Sequence, residues 1–259
     1  MKTLRISAIQ MNSGEEVAAN LTRARRALRR AATDGAQLAV LPENFARMGK
    51  RESDRLALVE EDGAGPLQDF MAAEAARAGM WIVGGTIPLK SDEARRPFAS
   101  TLVYDGNGQR VARYDKIHLF DARVPDSEEA YRESRGTTPG STPVVIETPW
   151  GQLGVAVCYD LRFPELFRRM SSQGMDVTWR CLPTRTLPTR RHSHFRSKRA
   201  TRAINLTHLT RHWRRSGTHR SGQTWGHSML KFQFCKLPSP KLGAPGCYRY
   251  DGRCRLRRC

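Results

Sequence analysis

The stretch Gly154-Val155-Ala156-Val157-Cys158-Tyr159-Asp160-Leu161-Arg162-Phe163-Pro164-Glu165 decides how this 259-residue sequence is read. An apolar run stops at a cysteine. Within a few residues a polar segment opens, with Pro164 placed for the first turn of a helix. That order predicts a strand, a sharp turn and a helix. A side chain at such a turn stands exposed above a sheet edge, near backbone N–H groups able to hold a developing oxyanion. Alone, a cysteine after an apolar run is more often a buried structural residue. Two further stretches reverse that weighting.

Leu41-Pro42-Glu43-Asn44-Phe45 follows the apolar run from Ala36 to Leu41, so Glu43 falls where a strand ends. Tyr114-Asp115-Lys116-Ile117-His118-Leu119-Phe120 puts Lys116 beside another strand. By itself Glu43 is a solvated loop acid and Lys116 a surface lysine. In order and spacing, however, "LPENF" (41–45), "YDKIHLFD" (114–121) and "GVAVCYDLRFPELFR" (154–168) resemble the nitrilase, or carbon–nitrogen hydrolase, superfamily. Three motifs in sequence are far more specific than any one of them. The likeness covers about the first two-thirds of the chain.

The resemblance implies a four-layer α-β-β-α sandwich of the nitrilase type, whereas periodicity alone shows α/β. It also implies a Glu–Lys–Cys triad. Cys158 would be the nucleophile, Glu43 the proton acceptor, and Lys116 the proton donor or oxyanion stabiliser, aided by the N–H of Tyr159. Glu133, in Tyr131-Arg132-Glu133-Ser134, matches a second acid that the family places between the Lys and the Cys; a solvated loop acid is the alternative. "CYDLRFPELFR" and "ESRGTTPG" (133–140) look most like the branch of omega-amidases and deaminated glutathione amidases. The substrate expected is therefore a small amide, with nitriles or N-carbamoyl amino acids as alternatives. No cofactor is implied. A homodimer or larger assembly is expected through the surface beside the Cys158 turn, with the helix from Phe163 to Met170 in the contact. Arg162 is open between a pairing with Glu165 and one with a substrate carboxylate.

Elsewhere the first 176 residues alternate strands and helices. Leu4 to Met11 reads as a strand. Asn20 to Ala32 has helical periodicity, with Leu21, Ala24, Leu28 and Ala31 on one face and Asn20 as N-cap. Pro66 to Ala78 reads as a second helix ended by Gly79, and Trp81 to Leu89 as one strand. Asp105-Gly106-Asn107-Gly108 and Pro149-Trp150-Gly151 mark two hairpins, whose second arms deliver Lys116 and Cys158. Hairpins argue for a mixed sheet rather than a parallel one.

The chain is long enough for one large domain. No run of about 18 apolar residues is present, and the N-terminal residues lead straight into a strand with no secretory-type apolar stretch. With a cysteine that must stay reduced, a cytoplasmic location is expected.

The net charge of +19 is carried unevenly. Residues 177–259 hold 20 of the 44 lysines and arginines and one of the 25 acids, and residues 1–176 hold 24 of each. The same tail holds five of six cysteines and six of seven histidines. By the resemblance, residues 1–176 are expected to be the well-matched hydrolase domain, and 177–259 the remainder of the same domain in anomalous basic composition. Where the pattern of the family it resembles would continue with an apolar strand such as Leu-Ala-Val-Pro-Ala, the chain has Trp179-Arg180-Cys181-Leu182-Pro183. Codons for the second peptide, read one nucleotide earlier, can encode the first. Fragments in the expected frame survive at Arg202–Leu206 and Gln223–Met229. The tail thus reads as scrambled by compensating frameshifts. On this reading two or more core strands are missing, and the printed chain lacks the burial that sustains a fold.

A genuine basic tail, with runs such as Arg196-Ser197-Lys198-Arg199, makes RNA binding the alternative from another functional class. Nucleic acid is not the expected partner, and neither is a membrane. Cys247, Cys254 and Cys259 fit no common metal-ligand spacing, so no metal is expected.

Overall fold

The structure is a computed structural model that describes residues 3–123, 130–181, 227–233, 248–250 and 256–258. The Arg196–Arg199 run, the Arg202–Leu206 fragment, Gln223–Gly226 and Cys247, Cys254 and Cys259 lie outside the described residues.

Strands β1 (Thr3–Ile9), β2 (Leu38–Val40), β3 (Trp81–Val83), β4 (Ile87–Leu89), β5 (Phe98–Tyr104) and β6 (Arg110–Asp115) build the larger sheet. Beyond β7 (Asp121–Arg123) and β8 (Ala130–Arg132), which pair with each other, come β9 (Val144–Thr148), β10 (Gly151–Val157) and β11 (Val177–Cys181). These three form a second sheet in the order β11-β10-β9. β12 (His227–Gln233) joins the larger sheet, whose order is β12-β1-β2-β3-β5-β4 with β6 on β5. β1, β2 and β3 run parallel, and the other pairings in that sheet are antiparallel. The sheet is therefore mixed, as the hairpins predict. A separate pair, β13 (Tyr248–Tyr250) and β14 (Leu256–Arg258), is antiparallel.

Helices α1 (Val17–Thr33) and α2 (Pro66–Ala78) cover one face of the larger sheet. There Ala24, Leu28 and Met71 are buried with Ala39, Ile82 and Leu102. The opposite face meets the second sheet. Leu4, Ile6, Val40 and Val103 pack with Leu153, Val155 and Val157 of β10. The alternate β10 residue Ala156 faces outward onto Leu166 and Met170 of α3 (Pro164–Ser172). This period-two division lets one strand serve two interfaces. The result is four layers, helix-sheet-sheet-helix, in a mixed α/β fold.

Several expectations need correction. Asn20 is not an N-cap, because α1 begins at Val17. Its buried side chain instead accepts from Gly14 N and donates to the carbonyls of Gly14 and Ala46, joining two loops. Trp81 to Leu89 is not one strand. It breaks at Gly84-Gly85, where Gly85 has φ +61° and a Cβ would drive into the Pro42 carbonyl oxygen. Strands beyond residue 176 are not all missing. β11 lies parallel to β10, and β12 pairs with all seven residues of β1. Backbone hydrogen bonding builds both, which is why an unfavourable side-chain pattern did not announce β11.

Candidate active site

Three chain segments converge at one end of the two sheets. Glu43 lies three residues beyond β2, in a loop braced where Asn44 N donates to Thr86 Oγ1 at 2.9 Å. Lys116 directly follows β6 and is held on both sides: its N–H donates to Ala99 O at 3.0 Å, and its carbonyl accepts from Gly140 N at 2.9 Å. At Gly140 a Cβ would strike the Asp115 carbonyl, so a side chain there would push the Lys116 segment away. Cys158 directly follows β10 and opens a 3₁₀ turn, Cys158–Arg162, that hands over to α3 at Pro164.

Asn44 and Cys158 are the two non-glycine residues with positive φ among the described residues, at 54° and 41°. A left-handed conformation costs a side-chain-bearing residue about 1–2 kcal/mol. It persists where surrounding structure enforces it, commonly at functional sites. Here one such residue adjoins Glu43 and the other is the cysteine itself. The strand-turn-helix arrangement read from 154–165 is present, and Cys158 is half-buried and packs against the apolar cluster that includes Tyr114, Val155 and Val157.

The Lys116 ammonium is the centre of the site. It donates to Glu43 Oε1 at 2.8 Å and to Glu133 Oε1 and Oε2 at 3.0 and 2.9 Å. The side chains of Lys116, Glu43 and Glu133 are 2%, 7% and 17% exposed. Burial disfavours the lysine's charge, but Glu43 and Glu133 outweigh burial and hold its pKa above the ordinary lysine range. Lys116 therefore stays an ammonium at neutral pH. Glu133 is not a solvated loop acid. It also accepts from Phe120 N at 2.6 Å, and it opens the 3₁₀ turn Glu133–Arg135, which is pinned to Asp121 through Ser134.

Tyr159 stacks edge-on against Phe120 and Phe163, with ring centroids 5.0 and 5.4 Å apart. Glu165 pairs with Arg168, not with Arg162, which is exposed. The sequence reading passed over Asp160, although it stands inside the decisive stretch. An acid three residues past a strand end looks the same on paper whether it faces solvent or, as here, is fully buried. Among the described residues no group of three or more His, Cys, Asp or Glu side chains has the arrangement of a metal site. Nor is any helix among them long and apolar enough to cross a membrane.

The carbon-nitrogen hydrolase family model matches residues 5–232. The deaminated glutathione amidase of Yersinia enterocolitica is 35% identical over 231 residues, spanning 88% of this chain and 79% of its own. An omega-amidase of Homo sapiens is 31% identical over 178 residues, 68% of this chain and 62% of its own. Among solved structures, the amidase from Nesterenkonia sp. AN1 superposes with a TM-score of 0.58 at 25% identity. That match spans 69% of this chain and 66% of the Nesterenkonia chain, in which acrylamide has undergone Michael addition at the active-site cysteine.

Proposed function

The chain belongs to the carbon–nitrogen hydrolase family, and from that premise we propose that it is an omega-amidase-type enzyme releasing ammonia from small dicarboxylate monoamides through Glu43, Lys116 and Cys158. The observation that carries this reading is the Lys116 ammonium, buried between the carboxylates of Glu43 and Glu133, with Tyr114 of the same segment in the apolar cluster against which Cys158 packs. The amidases among its relatives support the substrate class.

Amide carbons are poor electrophiles, and a free thiol of pKa about 8.5 is only a few per cent thiolate at neutral pH. Glu43 takes the Cys158 proton as sulfur attacks the amide carbon. The carbonyl π electrons move onto oxygen, and that oxyanion is met by the Lys116 ammonium and the Tyr159 N–H. Removing one such donor typically costs about 2.7–4 kcal/mol of barrier. Collapse re-forms the carbonyl, and the C–N bond breaks as Glu43 returns its proton to the leaving nitrogen. Ammonia departs and a Cys158 thioester remains. Glu43 then deprotonates a water molecule that attacks the thioester. The carboxylic acid leaves, and the proton returns to sulfur. Glu133 holds Lys116 in place throughout. Lys116, held between the two carboxylates, serves as the oxyanion stabiliser.

The test is a substrate screen over ω-amides, nitriles and N-carbamoyl amino acids, run on protein expressed from a frame-corrected coding sequence. Turnover confined to ω-amides is expected. Preference for a nitrile or an N-carbamoyl acid would replace this reading with one of its alternatives. Tight oligonucleotide binding with a steep salt dependence, and no amide turnover, would favour RNA binding by the basic tail.

The partner is proposed to be a second copy of the chain, docked beside the Cys158 turn with α3 in the contact. Phe120 and Tyr131 support this, because both are exposed and their rings lie 5.4 Å apart on the same aromatic cluster as Tyr159. Light scattering should give at least a dimer, and a monomer at micromolar concentration would overturn it.

Residues 178–259 are proposed to carry shifted reading frames, which the abrupt change in charge at residue 177 supports. Resequencing the coding DNA decides this. One uninterrupted frame across the region would refute it.

A further inference from the structure

The Asp160 carboxylate is fully buried and makes contact with four groups on two chain segments. Its Oδ2 accepts from Val157 N at 2.8 Å and from the Tyr114 hydroxyl at 2.7 Å. Its Oδ1 accepts from His118 N at 3.1 Å and lies 2.7 Å from His118 Nδ1. An ionised carboxylate only accepts, so that nitrogen carries the hydrogen. The imidazole is in turn stacked on Phe163, with centroids 3.7 Å apart and planes 10° from parallel.

These contacts have a pattern. Val157 immediately precedes Cys158, whereas Tyr114 and His118 stand two residues to either side of Lys116. One side chain thus ties the turn that carries the thiol to the segment that carries the ammonium. Neither segment has a strand pairing to the other: β6 pairs with β5 in the larger sheet, and β10 pairs with β9 and β11 in the second. Apolar contact between the two sheets presses these layers together but is non-directional and leaves sliding in the plane weakly opposed. Directional, charge-assisted hydrogen bonds supply the missing register.

We infer that Asp160 is a positioning residue for the hydrolysis, fixing the offset between Lys116 and Cys158 so that the ammonium meets the oxyanion formed on attack by the thiol. This rests on the reading of Lys116 and Cys158 as the oxyanion stabiliser and the nucleophile. Glu43 and Glu133 set the ammonium's charge and direction. Asp160 sets where its backbone stands relative to sulfur. Displacing reacting groups by about 1 Å can lower rates by about a hundredfold.

The experiment compares Asp160→Asn, Tyr114→Phe and Cys158→Ala with the full-length wild-type chain, measuring kcat and KM on a small ω-amide such as succinamate, with a thermal melt of each. The asparagine is isosteric, but its NH₂ must oppose the His118 N–H or abandon the Tyr114 and Val157 donors. The phenylalanine deletes one oxygen and leaves Asp160 its other contacts. Asp160→Asn should lower kcat by at least about tenfold with KM within about threefold, and Tyr114→Phe should change kcat in the same direction by less. Unchanged kcat in both variants, or a loss matching the unfolded fraction, overturns the inference. So does a rise in KM with kcat preserved. If Asp160→Asn does not fold, Tyr114→Phe decides alone. Wild-type turnover in Cys158→Ala would sink the underlying nucleophile assignment instead, so the two failures are told apart.

Discussion

Lys116 Nζ stands 2.8 Å from Glu43 Oε1, with both side chains almost wholly out of solvent. Replacing the lysine by methionine therefore leaves Glu43 beside Glu133 with no cation between them. Breaking a buried pair in this way costs about 3–5 kcal/mol. The sign with pH follows from linkage. In wild type the raised lysine pKa gives stability that is present below the ordinary lysine range and is lost as pH rises through and beyond it. In Lys116→Met the unneutralised carboxylates favour protonation on folding, so the deficit is largest at neutral pH and shrinks as pH falls into the carboxylate range. Denaturant titrations at pH 7 and pH 5 should show the gap between variant and wild type narrowing at the lower pH. A gap of constant size would argue that the two acids are already neutral.

Cys158→Ala should lose turnover while melting close to wild type, because a small side chain is exchanged at a strand end. Cys158→Gly should melt no lower than Cys158→Ala. At φ +41° a glycine escapes a left-handed penalty of about 1–2 kcal/mol, against an entropy loss of about 0.5–1 kcal/mol. Calorimetry on the pair measures the strain at the turn directly, and a markedly lower melt for the glycine variant would show that none is stored there.

Glu133→Gln keeps an acceptor near Lys116 but removes a charge. A hydrogen bond to a charged group is worth about 1.5–3 kcal/mol. Turnover should fall by roughly ten- to a hundredfold, with the fold retained. Steady-state kinetics and a melt check this. A variant with wild-type kcat would reduce Glu133 to a structural tie for the Phe120 segment.

Gly140→Ala tests the packing behind Lys116. The new methyl meets backbone on the Asp115 carbonyl, which cannot rotate aside. Overpacking of this kind costs about 1–3 kcal/mol. The displacement is directed at the residue next to the ammonium, so kcat should fall further than the loss of stability accounts for. Gly14→Ala, at a position with open space around its Cα, is the control and should leave kcat unchanged.

The legible parts of this molecule were those where one residue's surroundings are mostly its own chain neighbours. Pro66 and Gly79 bound α2 as read, because both act through local backbone geometry. The stripe on α1 was visible because burial follows the period of the element. Glu43, Lys116 and Cys158 were singled out by motif, not by physics, since nothing in their spacing announces that Lys116 meets Glu43 from 73 residues away. What escaped was long-range polar satisfaction. Asn20 looked like a cap because its amide is equally suited to a local or a distant backbone group. Asp160 went unread for the same reason, and Gly84-Gly85 hid a strand break at which a Cβ on Gly85 would meet the Pro42 carbonyl of another loop.

The pairing of β1 with β12 has a consequence for synthesis. Thr3 to Ile9 leaves the ribosome before its partner, His227 to Gln233, which follows some 220 residues later. At translation rates of about 5–20 residues per second, that interval lasts on the order of 10–40 s. Throughout it, one side of β1 presents a row of unpaired backbone donors and acceptors, the edge that other chains can pair with. The nascent chain thus passes through an obligatory window of vulnerability to misassembly, and truncation before residue 227 makes that window permanent.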